Sequence, residues 1–179
     1  TRRQGRVADD MATLSHTRDS ARDCGIIVTI GGAAVGVHDL VGPAFQKLGA
    51  EIDFWKIAMQ PGKPVMAGKL GDTLILALPG NPASAYVSAI LFLLPLIRYL
   101  SGAAQYLPTY HSATLTADLP GTERRAKFLR ARLTEGGITP FDSQDSAKLS
   151  VLAQSNALLV RPAFSDAASA GTDVPYITV

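Results

Sequence analysis

The feature that most constrains this chain is the passage Gly25-Ile26-Ile27-Val28-Thr29-Ile30-Gly31-Gly32, a short β-branched apolar run that stops at two glycines. Such a run is too short for a helix and suits a strand buried on both faces of a parallel sheet. Asp39 then precedes a helical pattern with Leu40, Val41, Ala44, Phe45 and Leu48 on one side, and Gly49 stands where a left-handed cap commonly ends a helix. Strand, glycine loop and helix form the first half of a βαβ unit, which predicts an α/β fold.

Residues 51–57 read as a second strand and 59–64 as a Pro/Gly turn. Residues 65–70 and 73–78 flank Gly71-Asp72, the spacing of a tight hairpin. Pro79-Gly80-Asn81-Pro82 then leads into an apolar helix that reaches Leu100. Asn81 is a good N-cap, and Pro82 suits the first helical position because its missing N–H would have no partner there. Beyond Ser101 the texture changes to short strand-like runs at 111–117, 127–134, 157–160 and 176–179, separated by Pro, Gly, Asp and Ser. The expectation is two domains, residues 1–102 and a small all-β domain over 106–179. Residues 1–23 are polar and support at best a weak, exposed helix.

A chain of 179 residues that is 47% hydrophobic can build real cores, so disorder throughout is excluded. Its formal charge of +2 lacks the basic excess of a phosphate-backbone binder, so no nucleic acid partner is expected. Cys24 is the sole cysteine and cannot form an internal disulfide, which fits a reducing, cytoplasmic setting. The apolar run 83–97 is interrupted by Ser84, Ser88 and Pro95. It is shorter than the ~20 residues of a membrane helix, so it reads as a buried core helix and no membrane is expected. The chain opens without a signal-peptide pattern. It starts at Thr1, which suggests that something upstream has been removed.

Two strand-to-helix junctions could carry chemistry. Gly31-Gly32-Ala33-Ala34-Val35-Gly36 can turn sharply and expose backbone N–H groups beside a helix start, where an anion docks; a ligand-free tight turn is the competing reading. Pro79, Gly80, Asn81, Pro82 and Ser84 form a stiff second junction whose free N–H groups near Ser84 could face a phosphate, or which could simply cap a helix. Asp39 is either a metal-ligating carboxylate or a cap. Lys56 and Lys63 either neutralise an oxyanion or are solvated. Arg124, Arg125, Lys127, Arg130 and Arg132 are dense, with Arg130 and Arg132 on the Phe128 face of a strand; a charged, solvated edge strand is the commoner explanation. His16, His38 and His111 show no metal-ligand spacing.

In order and spacing, Gly31 to Gly36 with Asp39, then Phe54-Trp55-Lys56-Ile57-Ala58-Met59-Gln60-Pro61-Gly62-Lys63-Pro64, then Leu78-Pro79-Gly80-Asn81-Pro82-Ala83-Ser84 resemble the molybdopterin molybdenumtransferase family, which includes the E domain of gephyrin. The resemblance runs from about residue 25 to 102. It implies an αβα sandwich like that of the molybdopterin adenylyltransferases, N-terminally truncated here, followed by a small β-barrel. It also implies an enzyme that inserts molybdenum from molybdate into adenylylated molybdopterin with Mg²⁺, releasing AMP in molybdenum cofactor synthesis. Carried over by position, Asp39 and Lys56 would be catalytic and Asp39 the metal ligand. Gly31, Gly32, Gly36, Lys63, Pro79, Gly80, Asn81, Pro82 and Ser84 would bind substrate, with Arg130 (or Arg125) and Ser146 from the barrel. A homodimer is implied, with a molybdopterin adenylyltransferase as a second partner.

The chain departs from that pattern at Ala34, where the family usually has Ser, and at Gln60, where many members have Lys. The family's upstream Thr-Gly-Asp-Glu strand and loop are absent, so an exposed sheet edge and no turnover by this chain alone are expected. Two other readings stand beside it, a molybdopterin adenylyltransferase and a non-catalytic interaction module.

Overall fold

The computed structural model describes residues 24–31 and 41–179, so the expected helix in 1–23 and the loop 32–40 lie outside the described residues. In chain order the elements are β1 (Ile26–Ile30), α1 (Val41–Lys47), β2 (Glu51–Trp55), β3 (Met59–Gln60), β4 (Met66–Leu70), β5 (Thr73–Leu78) and α2 (Pro82–Leu100). They continue as β6 (His111–Thr114), β7 (Ala126–Thr134), β8 (Gly137–Pro140), α3 (Leu149–Gln154), β9 (Ala157–Arg161) and β10 (Asp173–Thr178). Two compact units emerge: residues through Ile57 with Pro64–Gly80, and Ala58–Lys63 with Asn81–Val179.

The first unit is an α/β domain around a four-stranded sheet of order β1-β5-β4-β2. β1 and β5 run parallel in register from Ile26↔Leu74 to Ile30↔Leu78, whereas β4 pairs antiparallel with β5 and with β2. The sheet is therefore mixed, because the hairpin at Gly71-Asp72 reverses the chain between two adjacent strands. Ile27, Val41, Phe45, Met66, Ile75 and Ala77 form its core. Helix α1 ends as its sequence predicts. The Gly49 N–H reaches the Gln46 carbonyl and the Ala50 N–H the Phe45 carbonyl, with Gly49 at φ +88°. Close packing on α1 requires Gly42, since a Cβ there would fall 2.7 Å from Trp55 Cζ3.

The expectation that β1 is buried on both faces does not hold. Ile27 is buried, but Val28 and Ile30 on the alternate face are 39% and 71% exposed. One side of β1 packs on the core and the other is an apolar surface.

The second unit centres on a six-stranded sheet of order β3-β7-β9-β10-β6, with β8 also paired to β7. The barrel expected from the sequence is not closed by a continuous ladder among the described residues. A single parallel bridge, Leu115 to Ile138, joins its curled ends, with the Thr116 N–H donating to the Ile138 carbonyl. Leu115, Ala131, Ile138, Ala157, Leu159 and Val174 fill the space that this curvature encloses. Elements β3, β8 and α3 have no clear signal in the sequence, and β3 forms within the expected Pro/Gly turn by pairing in parallel with β7.

Helix α2 also corrects the sequence reading. It spans nineteen residues and is by length and composition apolar enough to cross a membrane, though that is weak evidence for one. It is not a fully buried core helix. Ala83, Val87, Ser88 and Pro95 are buried, while Tyr86, Leu94, Ile97, Tyr99 and Leu100 are exposed. Midway, Ala89–Leu93 form a π-helical turn in which the Leu94 N–H reaches back to Ala89. Pro95 follows directly, and its lack of an N–H breaks the regular ladder at that point.

Candidate functional site

In the first unit the site begins where two parallel strands stop together. Because Ile30 and Leu78 are register partners, Gly31 and Pro79 leave the sheet side by side at its carboxyl edge. Gly31 turns away at φ +91°, a conformation that favours glycine, and its N–H donates to the Leu78 carbonyl at 3.0 Å. A Cβ on Gly80 would lie 3.4 Å from Gly31 Cα, so the two backbones nearly touch. The Gly31 amide is thus spent on holding the two junctions together and is not free for a ligand. Pro79 is buried and Gly80 is exposed, giving a stiff entry and an open backbone at the rim.

Lys56 follows β2 and is exposed, with its backbone at φ +86° and its N–H donating to the Val65 carbonyl. Left-handed geometry is costly for a side-chain-bearing residue and clusters at functional positions. Asp39, Gly32 and Gly36 lie outside the described residues. Among the described residues there is no group of three or more His, Cys, Asp or Glu side chains that could hold a metal ion.

In the second unit, Asn81 caps α2 as expected. Its Oδ1 accepts from the Ser84 N–H at 3.2 Å, and its carbonyl accepts from the Ala85 N–H. This corrects the expectation of free amides near Ser84. Pro82 has no N–H, those of Ser84 and Ala85 are taken, and only Ala83 in the first turn is left unengaged by these contacts. Ser84 itself is buried. Lys63 is exposed beside buried Gly62, whose missing side chain makes room for Ser88 Oγ and Met59 Cε.

Arg130 overturns the solvated-edge reading of the basic cluster. β7 is an interior strand, and Arg130 on it is fully buried. Its N–H and Nε donate to Gln144 Oε1 at 3.0 and 3.4 Å, and its Nη1 donates to the Asp145 carbonyl at 3.1 Å. Its Nη2 has no partner among the described residues. Burial lowers the Arg130 pKa from the usual guanidinium value, and the Asp145 charge partly opposes this. The half-buried Ser146 sits on the same loop, so the structure brings Arg130 and the Ser146 segment together. Arg125 is exposed, as is Arg132, whose Nη1 donates to the Gln154 carbonyl. Gln144 escapes sequence reasoning, because nothing but its place two residues before Ser146 sets it apart.

This combination is an α/β sheet with glycine junctions at its carboxyl edge plus a separate β unit, and comparison with known proteins gives it a class. Residues 1–99 match the model of a probable molybdopterin binding domain, and residues 112–179 match the MoeA C-terminal region (domain IV). The chain is 35% identical over 176 residues to molybdopterin molybdenumtransferase 2 of Mycobacterium tuberculosis, covering 94% of this chain and 44% of that protein. It is 29% identical to molybdopterin molybdenumtransferase of Bacillus subtilis, covering 98% and 42%. A molybdopterin biosynthesis MoeA protein from Pyrococcus horikoshii shares the fold at a TM-score of 0.77 and 24% identity, covering 98% of this chain and 42% of that one. The chain belongs to the molybdopterin molybdenumtransferase family, and it spans less than half the length of these curated relatives.

Proposed function

We propose that the chain acts in molybdenum cofactor synthesis by binding adenylylated molybdopterin and molybdate, so that the dithiolene thiols replace molybdate oxygen, which leaves as water, and a second water cleaves the phosphoanhydride to release AMP. The observation that carries this reading is the in-register ending of β1 and β5 at Ile30 and Leu78, with Gly31 and Gly80 in close approach just beyond, the carboxyl-edge geometry at which α/β sheets receive anionic ligands. Both substrates are anions, and the residues assigned to them suit electrostatic binding. In the first unit Lys56 supplies an exposed ammonium group and Gly80 an open backbone; in the second, Lys63 is likewise exposed and Ser146 carries a hydroxyl. Preorganised charge and dipoles suffice for such a transfer, and no protein nucleophile is required.

Magnesium is assigned to Asp39 by family resemblance alone. A homodimer, a molybdopterin adenylyltransferase as a second partner and a cytoplasmic location complete the proposal. The match of residues 112–179 to the MoeA C-terminal region favours insertion over the earlier adenylylation step.

The test joins this chain to the upstream region that its relatives carry and measures molybdate-dependent AMP release from adenylylated molybdopterin. Loss of release in Asp39→Asn and Lys56→Ala supports the assignment. Normal release by both variants removes these residues from the site.

A further inference from the structure

One edge of β7 carries two different partners. Lys127 pairs with Arg161 of β9 and with Gln60 of β3, and Ala131 pairs with Ala157 of β9 and with Pro140 of β8. Since β9 lies along one edge of β7, β3 and β8 must share the other. Between them, from Phe128 to Arg130, that edge has no strand. The backbone groups of an interior strand need partners, because an unmade buried hydrogen bond costs more than a made one gains.

The side chain of Gln144 fills this gap. Its Oε1 accepts from the Arg130 N–H at 3.0 Å, and its Nε2 donates to the Arg130 carbonyl at 3.0 Å, so one carboxamide pairs with both backbone groups of a single residue as a neighbouring strand would. The Arg130 carbonyl also accepts from the Phe141 N–H at 3.0 Å, where the β8 ladder runs out, so Gln144 takes over at its end. The same Nε2 donates to the Phe141 carbonyl at 2.9 Å, which ties the loop's start to the same point. The Arg130 Nη1 bond to the Asp145 carbonyl then fixes the next residue of the loop. A carboxamide presents a donor and an acceptor in one plane, as a peptide group does.

We infer that Gln144 is a positioning residue that substitutes for a missing piece of strand, and so sets where the loop holds Ser146 for the anionic ligand. The inference rests on the reading above in which Ser146 faces that ligand. Gln144 itself acts through the loop.

The experiment uses the chain with the upstream region of its relatives and compares Gln144→Met, Ser146→Ala and the double variant. Two quantities are read: affinity for adenylylated molybdopterin, and amide hydrogen exchange across 142–147. Gln144→Met keeps the bulk and removes both hydrogen-bonding ends. It is expected to speed exchange in 142–147 while leaving Leu158 to Val160 protected, and to weaken affinity about tenfold, as misplacement of a binding group does. In the Ser146→Ala background the same change is expected to add nothing, because both act through one contact.

Unchanged loop exchange overturns the inference. So does an undiminished loss of affinity in the Ser146→Ala background, or a loss with Ser146→Ala and none with Gln144→Met. In that last case the reading of Ser146 stands and Gln144 falls. If Ser146→Ala leaves affinity intact, the reading of Ser146 fails, and with it any ligand role for Gln144. Should Gln144→Met lose protection at Leu158 to Val160, Gln144→Glu, which keeps the acceptor to Arg130, is read in the same cycle.

Discussion

Gly31 and Gly80 meet backbone to backbone at the end of the β1–β5 pair, with 3.4 Å between a Cβ placed on Gly80 and the Gly31 Cα. That distance is ordinary contact, so Gly80 can accept a methyl without distorting the fold, whereas Gly31 at φ +91° cannot. Gly31→Ala should cost about 1–2 kcal/mol in chemical denaturation through left-handed strain. Gly80→Ala should leave the unfolding midpoint nearly unchanged yet weaken binding of adenylylated molybdopterin by narrowing the rim. Equal ligand affinity for Gly80→Ala and the parent would show that the rim is not where the ligand sits.

Trp55 stacks against the flank of α1 at Gly42. An alanine in a helix interior normally gains up to about 1 kcal/mol over glycine. Here the added methyl would come within 2.7 Å of Trp55 Cζ3, and overpacking of this kind costs about 1–3 kcal/mol. The clash wins, so Gly42→Ala should lower stability. Trp55 is the only tryptophan, so its fluorescence emission should also shift as the ring is displaced. A stabilised variant with unaltered emission would refute this packing argument.

Lys56 combines an unfavourable backbone with a charge assigned to an anion. Lys56→Gly relieves the backbone and should be more stable than Lys56→Ala by about 1 kcal/mol, since only glycine occupies φ +86° without strain. Both variants lose the ammonium group, so both should bind adenylylated molybdopterin more weakly than the parent, with a shallower salt dependence. Stability measured by denaturant and affinity measured by calorimetry should therefore move in opposite directions for Lys56→Gly.

Asn81 acts on the start of α2 through its cap to the Ser84 N–H. Asn81→Ala should cost about 1 kcal/mol of stability, and Asn81→Asp much less, because a carboxylate caps equally well and complements the helix dipole. For the ligand the order should differ. A new negative charge at a residue assigned to an anionic substrate would weaken binding more in Asn81→Asp than in Asn81→Ala, as equilibrium titration would reveal.

Much of this is legible in the residues. The alternation and turn chemistry around Gly71-Asp72 specify the hairpin, Gly49 marks the end of α1, and Asn81-Pro82 marks the start of α2, since each acts through local geometry. The rest depends on distant partners. The closeness of Gly31 and Gly80 follows from β1 and β5 being neighbours in register, which no local pattern encodes. β3 has two residues and exists only because β7 lies beside it, and β8 carries Gly137 at φ +121°, which disguises it as a turn. Arg130 reads as a surface charge because arginine on a strand usually is one. In its buried place its Nε meets a carboxamide fourteen residues further on.

The π-helical turn in α2 has its own effect on how that helix should be mutated. Inserting one residue advances the side chains beyond it by about 100° around the axis, so the two halves of α2 cannot be plotted on a single wheel: Ile97 and Leu100 obey a different phase from Ala83 and Val87. Deleting one residue within 89–93 and replacing Pro95 by alanine together would let the ladder run straight through, turning the exposed Leu94, Ile97 and Leu100 toward another azimuth.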